Sequence, residues 1–154
     1  NLISSFDVAT LPLASTEVEA KGGLDPMLVK DQQWMEVKVN ELGMANLARV
    51  AGRTREKNTL LARLTLSSDQ ARLLRLQYGF SDRLTLFVNG RALTHSDHTF
   101  KSQDARFYGT VGLFDSVFLP LKAGKNEVIF AVSEGFGGWA VMAALDKMPG
   151  VTVI

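Results

Sequence analysis

Leu84-Thr85-Leu86-Phe87-Val88-Asn89-Gly90-Arg91-Ala92-Leu93 decides the reading of the chain. Leu84, Leu86 and Val88 alternate with Thr85 and Phe87, the period of two that places alternate side chains on one face of a strand. Asn89-Gly90 follows at once. Between apolar segments this dipeptide is the strongest short hairpin signal, because a type I′ turn needs positive φ at both central residues. Arg91-Ala92-Leu93 then returns as the partner strand, and residues 94–110 read as a long loop.

The same alternation extends in both directions. Upstream, Leu60, Ala62, Leu64 and Leu66 alternate with Leu61, Arg63 and Thr65, and Met35, Val37 and Val39 alternate with Glu36 and Lys38. Asn46–Ala51 reads as a further short strand. Asp69–Tyr78 is rich in Leu, Arg and Gln, which favour helix. Yet Leu74, Leu76 and Tyr78 alternate with Leu73, Arg75 and Gln77, and the segment is read as strand. Downstream, Val117, Leu119 and Leu121 form a strand whose Pro120 predicts an edge or a bulge. Gly124-Lys125-Asn126 turns the chain into Val128, Phe130 and Val132. Trp139–Leu145 is apolar on both faces, the mark of a central strand. Short strands separated by turn residues predict an all-β sandwich.

The chain has 154 residues, a net charge of +1 and no cysteine. It is long enough to bury a core without disulfides, and it excludes thiolate catalysis and cysteine-bound zinc. Its charge balance excludes a general attraction to nucleic acid. No apolar run approaches the roughly 20 residues of a membrane helix. Residues 1–33 carry five acidic and two basic side chains, with Pro12, Gly22-Gly23 and Asp25-Pro26 as punctuation. They read as an extension or linker holding one strand near Leu2–Val8 or Thr16–Ala20. Residues 34–147 are the predicted domain and 148–154 a tail. Asn1-Leu2-Ile3-Ser4 is not the start of a signal peptide, so the chain reads as a fragment or processed product.

Two stretches carry a family likeness: Tyr78-Gly79-Phe80-Ser81-Asp82-Arg83-Leu84 running on to Asn89-Gly90-Arg91, and Asp115–Val132 with its Gly124-Lys125-Asn126 turn. The chain resembles the galactose-binding-like jelly roll, especially the sugar-binding domain of glycoside hydrolase family 2 and related non-catalytic modules. Gly135-Phe136-Gly137-Gly138-Trp139 is similar to segments of bacterial secreted proteins that join such a module to other domains. The resemblance implies a jelly-roll β-sandwich and a secreted or periplasmic location. It implies a non-catalytic, carbohydrate-binding accessory module whose partner is a carbohydrate or a neighbouring domain of its parent protein. Modules of this kind often hold a structural calcium, which the sequence does not locate. No cofactor is expected. A domain-orienting structural role and a glycoside hydrolase are the alternatives.

A sugar site needs an aromatic platform for the apolar face of a pyranose and polar groups for its hydroxyls. Tyr108 and Phe136 fall in loops, and Asp104 and Arg106 beside Tyr108 supply a carboxylate and a five-donor guanidinium. These four and Trp139 form the predicted ligand set. Trp139 has a second reading as a core residue, which its shared face with Val141, Ala143 and Leu145 favours. Asn126 is expected to bond loop backbone. His95-Ser96-Asp97-His98 lacks an obvious fourth metal ligand and reads as a solvated loop. The basic run from Arg49 to Arg75 has no interleaved aromatics and reads as a solvated face. Asp82, Asp104, Asp115 and Glu134 are the carboxylates that a glycosidase pair would draw on.

Overall fold

The alternating segments become two antiparallel sheets in the computed structural model, which describes residues 1–19, 21–52, 54–97, 112–135 and 138–154. The strands are β1 Ser5–Ala9, β2 Trp34–Lys38, β3 Ala45–Asn46, β4 Thr59–Ser68, β5 Arg72–Ser81, β6 Arg83–Val88, β7 Arg91–Asp97, β8 Asp115–Leu121, β9 Gly124–Ser133, β10 Ala140–Leu145 and β11 Val151–Val153. The larger sheet runs β2-β1-β4-β9-β6-β7, with β11 added to β4, and the smaller runs β3-β10-β5-β8. From β3 to β6, and again from β7 to β11, successive strands cross from one sheet to the other. This is the wrapping of a jelly roll. Among the described residues, no helix is long and apolar enough to cross a membrane.

The period of two fills the space between the sheets. Phe6, Leu60, Ala62, Leu64, Leu84, Leu86, Phe130 and Val132 face Leu74, Leu76, Tyr78, Leu119, Val141 and Ala143 in one buried cluster. Phe6 meets Phe130 edge to face at 5.6 Å, the geometry that aromatic quadrupoles favour. The Asn89-Gly90 turn is as expected, with φ of 51° and 85°. Asp69–Tyr78 is resolved in favour of strand: β5 pairs with β10 on one side and β8 on the other. Two ladders outweigh the helix propensity of Arg, Leu and Gln. β8 is the edge of its sheet, where Pro120 loses no ladder bond it needs.

The terminal segments depart from expectation. Residues 1–33 are not a linker: β1 lies between β2 and β4. The segment joining β1 to β2 crosses the outer face of the larger sheet. There Leu13, Val18 and Leu24 bury Leu61, Phe87, Ile129 and Ala131 in a second cluster. Burying a side chain of this size contributes about 1.5–3 kcal/mol, which accounts for β4, β6 and β9 being apolar on both faces. The crossing segment is fastened by Leu13 bridging Thr59, by the Leu24 amide donating to Gly90 O, and by Arg83 Nε donating to Glu19 Oε1 at 2.8 Å. The tail also joins the sheet, since β11 pairs with β4. The strand expected over Asn46–Ala51 is only Ala45–Asn46, because Asn46 Oδ1 accepts from the Ala48 amide and starts a 3₁₀ turn. β7 runs on to Asp97, so His95 to Asp97 are strand rather than loop.

Candidate ligand-binding end of the sandwich

The register decides which connections share an end. Arg83 pairs with Asp97 of β7 and with Ser133 of β9. Ser81 pairs with Ala140 of β10, and Tyr78 pairs with Asp115 of β8. The β7–β8 connection therefore leaves and returns beside the β5–β6 junction, and so does the β9–β10 connection. Neighbouring strands lie about 4.8 Å apart, so the anchors of both connections lie within a few strand spacings at one end of the sandwich. The Asn89-Gly90 and Gly124 turns lie at the other end.

A polar frame underlies this end. Glu134, the first residue after β9, is 1% exposed, and its Oε2 accepts from Ser81 Oγ at 2.7 Å. A buried carboxylate is tolerated only when hydrogen-bonded. The Glu134 amide donates to Asn58 O, and the Asp82 amide donates to Ser133 O. Thr59 Oγ1 and Ser133 Oγ are 2.7 Å apart. Asn58 Oδ1 accepts from the Ser15 amide of the crossing segment. Four connections are thus tied into one floor by groups on strand ends. Beside it, the Tyr78 hydroxyl lies 3.4 Å from Ser96 Oγ. Burial raises the Tyr78 phenol above its ordinary value, against a lowering by the Ser96 hydrogen bond and with a further push from the Asp115 charge.

Of the predicted ligand residues, Asp104, Arg106, Tyr108 and Phe136 lie outside the described residues, as does His98. Trp139 is in the core: it is 2% exposed, and its indole Nε1 donates to Val132 O at 2.9 Å. That is the core reading its strand neighbours favoured, and the ring is no surface platform. His95 Nδ1 lies 2.9 Å from Thr85 Oγ1 on the outer face of the larger sheet. Among the described residues, no group of three His, Asp or Glu side chains is arranged to hold a metal. Within the basic run, Arg63, Arg72 and Arg75 are engaged in ion pairs, while Arg49 and Arg55 are exposed. Arg63 reaches Asp7 at 3.4 Å and Glu127 at 3.8 Å and lies 3.9 Å over the Trp34 ring. Arg72 pairs with Asp69, and Arg75 with Asp146 at 3.5 Å.

Asn126 fulfils its expected role at the far end. It is fully buried, its Oδ1 accepts from the Lys122 amide, and its Nδ2 donates to Lys122 O and Gly124 O. Its Oδ1 also accepts from Asn89 Nδ2, coupling this turn to the β6–β7 hairpin. Sequence reasoning did not single out the Ser81–Glu134 pair, nor Ser116 and Phe118 on the solvent-facing side of β8. A Ser ahead of Asp82 carries no pattern, and exposed strand positions look alike until a partner strand is known.

No family model and no curated protein matches the chain. Among solved structures it is similar to a family 35 carbohydrate-binding module from an environmental isolate, at 22% identity over 63% of this chain and 72% of that one, with a TM-score of 0.47. It is similar to a β-glucosidase from Kluyveromyces marxianus at 14% identity over 96% of this chain and 16% of that one, with a TM-score of 0.52. A GH2 β-galacturonidase from Eisenbergiella tayi matches at 10% identity over 93% and 24% of the two chains, with a TM-score of 0.49. The chain spans only a small part of either enzyme. The class defined is one of fold: an all-β jelly-roll sandwich of two antiparallel sheets.

Proposed function

We propose that this chain is a non-catalytic carbohydrate-binding module, an accessory domain of a larger secreted bacterial protein. The supporting observation is the register that sets the strand ends flanking the 98–114 and 134–139 connections side by side, next to the Ser81–Glu134 pair. These are the connections in which the sequence concentrates Asp104, Arg106, Tyr108 and Phe136. In this reading Tyr108 and Phe136 stack on the apolar face of a pyranose, and Arg106 with Asp104 engages a pair of neighbouring hydroxyls. Binding is shallow and reversible, with no covalent step.

The test is calorimetric titration of the intact domain and of Arg106→Ala and Tyr108→Ala against a panel of soluble oligosaccharides. Each variant is expected to keep its melting temperature. Arg106→Ala should lose roughly tenfold to a hundredfold in affinity, the scale of a charge-assisted hydrogen bond. Failure of the intact domain to bind any glycan of the panel overturns the reading.

A further inference from the structure

β2 is an edge of the larger sheet. Its ladder with β1 fixes which backbone groups are free. The Thr10 amide donates to Gln33 O and the Val39 amide to Ser4 O, and alternate residues of an antiparallel strand bond to opposite sides. Met35 and Val37 therefore bond inward to β1, while Trp34, Glu36 and Lys38 turn their amides and carbonyls to the open side. The Asn40 amide is taken by Met44 O, so the free edge ends there. An open groove lined by Met35, Glu36, Val37, Lys38 and Arg49 runs along it.

The other described edges are guarded. β8 contains Pro120, β7 is interrupted by a register shift at Leu86/Phe87, and β3 and β11 are two and three residues long. Proline, bulges and shortness are the usual protections of an exposed edge. β2 keeps an unbroken register over Trp34–Lys38 and contains no proline. Its charges are also unanswered. Glu36 lies directly across from Asp7, a like charge, and Asp7 is served by Arg63. Among the described residues neither Glu36 nor Lys38 forms an ion pair.

We propose that β2 is a self-association edge, pairing antiparallel with β2 of a second copy about a two-fold axis at Val37. This register sets Glu36 opposite the second copy's Lys38, and Lys38 opposite the second copy's Glu36. Both residues carry outward amides and carbonyls, so each couple exchanges backbone hydrogen bonds and joins opposite charges. On the other face Val37 meets its own copy, and Met35, 41% exposed, comes under the second copy's Val39. An axis at Glu36 would instead set carboxylate against carboxylate, which disfavours it. The interface is isologous and closes at two copies. An unrelated strand would have to supply the matching charge order, whereas β2 is its own complement. Antiparallel pairing turns the two candidate ligand-binding ends in opposite directions. The inference does not rest on carbohydrate binding.

The test is sedimentation of the intact domain, of Glu36→Lys, of Lys38→Glu and of an equimolar mixture of these two variants. A ladder this short is at the small end of interfaces, so protein concentration spans about 10 μM to about 1 mM. Glu36 and Lys38 are exposed, and both variants are expected to keep the parent's melting temperature. The parent should form a reversible dimer. Each variant alone sets like charges across the axis and should dimerise at least about tenfold more weakly. The mixture should regain the dimer, because each cationic position then meets an anionic one. A parent that stays monomeric throughout the range overturns the proposal. So does a dimer that both variants retain, or a mixture that remains as monomeric as its components.

Discussion

Replacing Asn126 by Ala removes a side chain that is wholly enclosed and makes four hydrogen bonds, two from Nδ2 and two to Oδ1. A neutral hydrogen bond contributes about 0.5–1.5 kcal/mol net, and a buried partner left unsatisfied costs about 1–3 kcal/mol. Lys122 and Gly124 lie on an exposed turn, so water replaces part of what their backbone loses. Asn89 has a second attachment, through its Oδ1 accepting from the Glu127 amide. The expected loss is therefore about 3 kcal/mol, below the sum of four bonds. Urea unfolding reads it directly: with a slope of about 1.5–3 kcal/mol per molar, the midpoint should fall by roughly 1–2 M. Glycan affinity should not move, because Asn126 lies seven residues from Ser133 along β9, about 24 Å at the rise of a strand. A loss under about 1 kcal/mol would refute the claim that this amide holds both turns.

Gly90→Val places a β-branched residue at φ of 85°, where nothing crowds a Cβ and only backbone strain acts. The expected destabilisation is about 1–3 kcal/mol in thermal unfolding, and an unchanged Tm would remove strain as the reason for glycine. The Tyr78 phenol is raised by burial, so the folded state keeps its proton while the unfolded chain ionises at the ordinary value of 10.0. Its contribution is complete below that pH and is lost as pH rises from there through the folded value. Alkaline unfolding curves for the parent and for Tyr78→Phe should diverge in that range. Coincident curves would contradict the assignment.

Local rules carried much of the architecture. Asn89-Gly90 specified its own turn, and the alternation at Leu60–Leu66 and Val128–Val132 specified which side chains meet. What local rules omit is the covering of an outer face. Leu61, Phe87 and Ile129 occupy the positions opposite the core, and the pattern could not show that Leu13, Val18 and Leu24 from a punctuated acidic segment lie over them. That segment reads as a linker because its apolar residues follow no period: they cap a surface instead of forming a strand. Trp139 illustrates the same point at the candidate site. The residues before it are glycines, but its ring follows the strand that comes after and turns inward to Val132 O. Ser81 and Glu134 become a pair only through the β5–β10 and β6–β9 ladders, a relation between residues 53 apart that no spacing rule encodes.

The most direct measurement is a two-dimensional amide NMR spectrum of the isotopically labelled domain, recorded during titration with the oligosaccharide panel. Shifts are expected in the 98–114 and 134–139 connections and at Ser81 and Asp82. The turns at Asn89-Gly90 and Gly124–Asn126 should stay unchanged. A spectrum unmoved by every glycan, or shifts confined to those far turns, would contradict the carbohydrate-binding reading.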